Sequence, residues 1–252
     1  MQLPFKSLSS TLFLDIETVS QASELSELNK EFKLLWRKKA NFLRPKYIQT
    51  QATDEELYKS KAAIFSEFGK VICISVGYFQ TEKGKLRSFK TKSFVNVDEK
   101  NLLSEFAEFL SEHYNNQKKH LLVGHNIREF DVPYICRRML THQIGLPGLL
   151  RLANKRPWQI KHIVDTMDLW RFGDYKHYVS LDLLAQIMAI PSPKTDISGD
   201  KVGEVFWMEQ DIDRIMTYCE NDVFTTALVY LKLNNINTVD TIKHKRWQLH
   251  KL

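Results

Sequence analysis

The chain has 252 residues, 43% hydrophobic and 26% charged, a globular composition that excludes a largely disordered chain. Thirty-six Lys and Arg against thirty Asp and Glu leave a formal net charge of +6. A mean hydropathy of −0.33 and the lack of any apolar run of about 18 residues exclude a membrane-spanning helix.

Cys73, Cys136 and Cys219 are odd in number and widely spaced. That pattern excludes a disulfide framework and a CxxC zinc site, and it points to the reducing cytoplasm. Met1-Gln2-Leu3-Pro4-Phe5-Lys6 shows no charged leader ahead of a long apolar stretch, so no secretory signal is expected.

Along the chain, 11–16 reads as a short β-rich strand and 21–63 as a polar, helical insertion. Within the insertion, 30–46 holds seven basic residues against one acid, Glu31, with Phe32, Trp36 and Phe42 among them. Such a stretch suits a phosphate backbone and stacked bases; a solvated helix face has the same composition. A buried strand at 71–79 and an alternating strand at 86–94 are joined by the turn Glu82-Lys83-Gly84-Lys85.

An amphipathic helix at 101–114 presents Leu102, Leu103, Phe106, Phe109 and Leu110 on one side. A strand at 120–123, a helix over 132–140, a weaker strand at 162–164 and a helix at 181–189 follow. The last helix covers 212–233 with Asp211 as its N-cap. A second basic cluster, Lys243-His244-Lys245-Arg246-Trp247, lies in a tail at about 240–252. The order predicts an α/β fold over residues 1–252, with a mixed sheet of about five strands flanked by helices. No repeat or Gly/Ser linker divides it, so one domain is expected.

Three acidic elements carry chemistry. In the first strand Leu12, Leu14 and Ile16 share one face, and Phe13, Asp15 and Glu17 the other. Two carboxylates side by side on an apolar strand are costly to desolvate without a compensating charge. Mg²⁺, which prefers hard carboxylate oxygens, supplies one. Asp131 follows the strand at 120–123, and Pro133 places it near the start of the next helix, at the sheet end where α/β folds bind ligands. Tyr218 and Asp222 are four apart, on one face of the last helix. A lone Asp-x-Glu triplet is expected about once by chance in a chain of this length, and N-x-x-x-F-D in about one chain in fifty. Their combination in this order is specific.

This constellation resembles the DEDD superfamily of 3′–5′ exonucleases, also called DnaQ-like, which have a ribonuclease H-like fold. Thr217 stands where the DEDDh branch has histidine, and Tyr218 matches the DEDDy branch instead. Val164-Asp165-Thr166-Met167-Asp168-Leu169-Trp170 and Pro193-Lys194-Thr195-Asp196-Ile197-Ser198-Gly199 are similar to the bacterial group related to the proofreading domain of family B DNA polymerases.

The resemblance implies a 3′–5′ exonuclease in which Asp15, Glu17, Asp131 and Asp222 hold two divalent cations, Mg²⁺ or Mn²⁺. Asp15 bridges both ions, Glu17 and Asp222 hold the first, and Asp131 acts on the second. Tyr218 orients the attacking water, since a phenol of pKa about 10 is a poor base at neutral pH. Asn126, Phe130, Thr18 and Lys194 are candidates for holding the terminal nucleotide. Asp165 reads as structural, Asp168 as an N-cap or a neighbour of the acids, and His125 as a hydrogen-bonded core histidine.

The implied substrate is a single-stranded 3′ end, DNA ahead of RNA. A 3′–5′ exoribonuclease and a nucleic-acid-binding subunit with a vestigial site stay open as alternatives, and a protein partner or separate polymerase is compatible with either. No membrane partner is expected.

Overall fold

The structure, a computed structural model, describes residues 8–44, 52–82, 85–174, 176, 178–191, 196–236 and 242–246. Its strands are β1 Thr11–Ser20, β2 Gly69–Glu82, β3 Lys85–Val95, β4 Leu121–Gly124, β5 Ile163–Asp165 and β6 Lys243–Arg246. They form one mixed sheet in the order β5-β4-β1-β2-β3-β6. β1, β2 and β3 run antiparallel in succession. β4 pairs parallel with β1, β5 with β4, and β6 with β3.

The helices are α1 Lys30–Leu43, α2 Asp54–Lys61, α3 Glu99–His113, α4 Asp131–Thr141, α5 Thr166–Arg171, α6 Leu181–Ile187, α7 Val202–Glu204 and α8 Ile212–Leu233. Alternation along β1 divides the core. Leu12, Leu14 and Ile16 pack with Leu102 and Phe106 of α3 and Ile135 of α4. Phe13 faces the other way, among Phe79, Phe89 and α8 residues Val223 and Ala227. Gly77, opposite Phe13 in register, makes close packing possible there: a Cβ would lie 2.3 Å from the Phe89 ring and 2.9 Å from Val223. α8 can therefore lie directly on the sheet.

The helical insertion takes the expected place between β1 and β2. Asn29 caps α1 by accepting from Phe32 N–H, and Thr53 with Glu56 forms a capping box on α2. Trp36 is fully buried, edge-on to Tyr58 and Phe68 at ring distances of 5.3 and 5.1 Å. Its indole N–H donates to Asp54 O at 2.8 Å. With Leu25, Ala40, Leu43 and Leu57 these rings make a separate small core.

Two expectations are corrected. The sheet has six strands rather than about five, because 243–246 in the expected tail pairs with β3. An alternation of charged residues does not read as a strand, yet the open edge of β3 offers backbone groups that any sequence can bond. Asp165, and not Asp168, caps α5: its carboxylate accepts from Met167 N–H at 2.9 Å. Asp168 lies in the first turn and pairs with Arg128 and Arg171, both at 3.3 Å. Asp211 caps α8 as expected. Of the turn at 82–85, Lys83 and Gly84 lie outside the described residues.

A buried ionic knot ties α3, α4 and β2 together. Glu99 accepts from Val71 N–H at 2.7 Å, from Arg138 Nε at 2.9 Å and from Arg138 Nη2 at 2.5 Å. The third guanidinium nitrogen donates to Ser66 O at 3.0 Å. His142 Nε2 also lies 2.8 Å from Glu99 Oε2, but breaking a buried pair by removing its permanent charge costs about 3–5 kcal/mol. Arg138→Ala should therefore lower the unfolding free energy by about that much in urea denaturation. A loss below about 1 kcal/mol would mean that water or His142 compensates Glu99 in the variant.

Candidate active site

β1 enters the site with alternation intact. Asp15 and Glu17 follow Phe13 on the side covered by α8, and Cys219 of α8 is wholly buried against them. Its Sγ lies 3.4 Å from Asp15 Oδ2 and 3.5 Å from Asp15 O. One ligand atom each from Asp15, Glu17 and Cys219 falls within 4.8 Å of the others.

Just past Glu17 the register with β2 shifts: Glu17 pairs with Cys73 but Thr18 with Val71, leaving Ile72 as the extra residue. Bulges of this kind bend a strand and re-aim its side chains.

Asp131 arrives from α4 as its first helical residue, 3% exposed. β4 pairs only with Thr11–Phe13 of β1, and beyond that point the Asp131 carboxylate accepts a hydrogen bond from the Ile16 backbone. Asp131 therefore meets β1 between Asp15 and Glu17. α8 contributes Tyr218 and Asp222, and the Tyr218 hydroxyl donates to the Asp222 carboxylate. Gly199 lies beside that hydroxyl, where an added Cβ would stand 3.9 Å away.

The electrostatics show that these groups share one space. Burial first, then the charges of Asp131 and Asp222, push Asp15 well above the usual carboxylate range. Burial, then Asp15, Asp222 and Asp131, among other neighbours, do the same to Glu17. Burial raises Asp131 to about 7, with Asp165 adding to the rise and hydrogen bonds to its own backbone and Ile16 opposing it. Burial also raises Asp222 to about 7, helped by Asp182 of α6 and opposed by the Tyr218 hydrogen bond. The Tyr218 phenol is pushed above its ordinary value by burial, then by Asp222, Glu17, Asp15 and Asp182. It keeps its proton at neutral pH.

The other sequence-predicted residues are placed as follows. Asn126 adopts a left-handed backbone with φ 61°, which Asn tolerates better than most residues, and its N–H donates to Asp165 Oδ1 at 2.8 Å. Its side-chain amide makes no hydrogen bond among the described residues. Phe130 is half-buried against Tyr134, with ring centroids 5.4 Å apart. The Thr18 hydroxyl donates to Ala63 O of the insertion at 3.0 Å. Lys194 lies outside the described residues. His125 is held on both ring nitrogens, by Thr166 Oγ1 at 2.9 Å and Val179 O at 2.8 Å, and burial lowers its pKa.

Three neighbours of the site escape sequence reasoning. Cys219 fits the apolar stripe of α8 and Cys73 the buried run of β2, so both read as core; in the fold their thiols hydrogen-bond beside the acids. Asp182 at the start of α6 carries no local signal that links it to Asp222.

Asp131 and Asp222 sit at about 7, against about 3.9 for an unfolded aspartate. Their raised values mean that the metal-free fold binds more protons than the unfolded chain, so their contribution to stability falls as pH rises from about 4 through 7. In EDTA, Asp222→Asn should resist urea better than wild type, by a wider margin at about pH 8 than at about pH 5. Equal margins at both pH values would show that Asp222 is solvated.

Comparison with known proteins fits this geometry. A structure of the family B DNA polymerase from the hyperthermophilic archaeon Pyrobaculum calidifontis is similar at a TM-score of 0.53 and 18% identity. The match covers 88% of this chain but 24% of the polymerase chain, so the likeness is one of fold, to about a quarter of that chain. No curated protein sequence matches. Residues 64–250 match a family described as a predicted 3′–5′ exonuclease related to the exonuclease domain of PolB. Asp131, Tyr218 and Asp222 fall within that span, and Asp15 and Glu17 precede it. The chain belongs to this family of predicted 3′–5′ exonucleases related to the PolB exonuclease domain.

Proposed function

We propose that the chain is a single 3′–5′ exonuclease domain over residues 1–252 that removes nucleotides from the 3′ end of single-stranded nucleic acid, DNA ahead of RNA. The observation that carries this reading is the acid cluster between β1 and α8, where Asp15, Glu17 and Cys219 bring ligand atoms within 4.8 Å of one another and the charges of Asp131 and Asp222 raise both Asp15 and Glu17.

The donor set fits divalent cations. Four carboxylates forced upward by burial and repulsion call for positive charge, and Asp15 and Glu17 already bring their oxygens within 4.8 Å of the Cys219 sulfur. In this reading two Mg²⁺ or Mn²⁺ ions would be held by these four acids, with Asp15 serving both, Glu17 and Asp222 the first, and Asp131 the second. When bound, such a pair polarises a phosphodiester and lowers the pKa of a coordinated water.

The chain's own groups supply the rest. Tyr218 holds its proton and donates to Asp222, so its part is to orient the attacking water by hydrogen bonding rather than to take a proton. Asn126, whose side-chain amide makes no hydrogen bond among the described residues, sits just past β4 with φ 61° and serves as a polar contact for the terminal nucleotide; Phe130 offers its ring nearby. Thr18, its hydroxyl engaged by Ala63, contributes through its backbone, and Lys194 belongs to this reading as a phosphate contact. A cytoplasmic setting fits free cysteines at 73, 136 and 219. No helix among the described residues is long and apolar enough to cross a membrane.

Oligonucleotides labelled at either end, DNA and RNA in parallel, test the proposal with Mg²⁺, Mn²⁺ or EDTA. We expect stepwise shortening from the 3′ end with either metal, faster on DNA, and none in EDTA. Faster cleavage of RNA would make the chain an exoribonuclease, and no cleavage at all would leave a binding subunit. Asp15→Ala and Asp222→Ala should each lower turnover by at least about a hundredfold. Tyr218→Phe should lower kcat by about tenfold or more with KM unchanged. Near-normal turnover in Asp15→Ala would remove the acid cluster from the chemistry.

A further inference from the structure

The two basic clusters have different fates in the fold. In the C-terminal one, Arg246 and His244 are engaged by the protein. Arg246 places Nε 2.5 Å from Glu220 Oε2 and donates to Thr217 Oγ1 at 2.6 Å. Glu220 lies buried on α8 between Tyr218 and Asp222. The His244 ring stacks on Phe224 at 4.8 Å and 14°, with Nε2 3.0 Å from Thr91 Oγ1.

α1 is arranged in the opposite way. Its inner edge, Trp36, Ala40 and Leu43, is buried in the insertion's own core. Arg37 and Arg44 share Asp54, and Lys39 lies 4.0 Å over the Phe65 ring. Lys30, Lys33 and Lys38 have no acidic partner among the described residues.

Helical geometry orders these cations. Lys30, Lys33, Arg37 and Arg44 recur at steps of three, four and seven along one edge, about 21 Å long at 1.5 Å per residue. Beside that edge, Leu34, Lys38 and Phe42 follow at steps of four, with Leu34 49% and Phe42 63% exposed. Cations interleaved with exposed apolar and aromatic side chains form a surface that tracks a phosphate backbone and stacks bases. The net charge of the helix, five cations against Glu31, complements a polyanion.

The insertion is also fixed to the site. Ala63 O accepts from Thr18 Oγ1 at 3.0 Å and from Tyr134 OH at 2.9 Å, and Gln21 N–H donates to Phe68 O at 2.9 Å. Thr18 adjoins Glu17, and Ser20, the last residue of β1, lies about 10 Å beyond Glu17 at about 3.3 Å per residue.

We propose that the outer face of α1 is a track for the single strand whose 3′ end enters the acid cluster. Lys30, Lys33 and Lys38 hold its phosphates, and Phe42 stacks against a base. This rests on the exonuclease reading for the direction of the strand, while the affinity itself does not.

The test compares wild type with Lys30→Glu/Lys33→Glu/Lys38→Glu, and with Phe42→Ala, all on the full chain. Binding of a labelled single-stranded DNA of about 20 nucleotides is measured in EDTA over a salt series, and hydrolysis of a trinucleotide is measured with Mg²⁺. The triple variant should bind the long strand at least about tenfold more weakly, with a salt slope smaller by about 2. Phe42→Ala should weaken binding with the slope unchanged, and both variants should cleave the trinucleotide at the wild-type rate. Unaltered affinity and slope in the triple variant would overturn the proposal and leave the face to an acidic protein partner; so would an equal loss on the trinucleotide. A wild type that cleaves nothing but still binds through these lysines would defeat the exonuclease reading and leave the track standing.

Discussion

The constraint on which the structure turns is that α8 must lie against the very face of β1 that carries Asp15 and Glu17. An apolar helix would sit there without difficulty; this one brings Asp222 and Tyr218 with it. Each carboxylate gives up water on entering the contact, and each raises the free energy of ionising its neighbours. The fold tolerates this because the apolar packing on either side of the acids is dense. Phe13 and Val223 fit together over Gly77 just before them, and Val19, Ile72 and Ile215 close the interface just after. The repulsion is thus confined to a short gap in an otherwise apolar contact. A gap of that kind calls for compensating positive charge.

Much of this was legible in the amino-acid order, for reasons that differ by element. Asp15 and Glu17 stand out because a period-two strand assigns them a common side without any knowledge of the fold. α8 reads cleanly because 22 residues of helical periodicity carry more signal than any short strand, and Asp211 marks its start. Asp165 could not be told from Asp168 by local rules. Its carboxylate caps α5 and also accepts the N–H groups of Asn126 and Arg128 at 2.8 and 3.1 Å, a bond set that exists only once β4 and β5 lie side by side. The same holds for Thr18, whose hydroxyl partner is 45 residues away, and for Asp182, which gains its relation to Asp222 from the packing of α6 on α8. β6 was illegible because its pairing depends on the exposed edge of β3 and not on its own hydrophobicity.

The contrast between the basic clusters follows from the same physics. Glu220 is buried two residues from both Tyr218 and Asp222, and an isolated carboxylate there would add to the negative charge of the site. Arg246 offsets it, while Ser93 Oγ donates to its other oxygen at 2.9 Å and bonds Ser75 Oγ at 2.8 Å. The arginine is thereby engaged in holding α8 against the sheet edge. α1 is under no such demand, since its small core closes without its lysines.

β1 joins these two arrangements. Its odd-numbered residues include the acids Asp15 and Glu17, and its even-numbered residues include Thr18, which anchors the insertion through Ala63. The irregularity opposite Ile72 falls between Glu17 and Thr18, where the strand stops serving one task and begins the other. A displacement of the insertion must therefore act on the strand that carries Asp15 and Glu17. Conversely, ordering of the acids around bound cations would stiffen the seat of α1. The insertion and the site are mechanically continuous through β1, and Tyr134 of α4 adds a second tie to Ala63, which makes the helical insertion part of the site's architecture rather than an appendage to it.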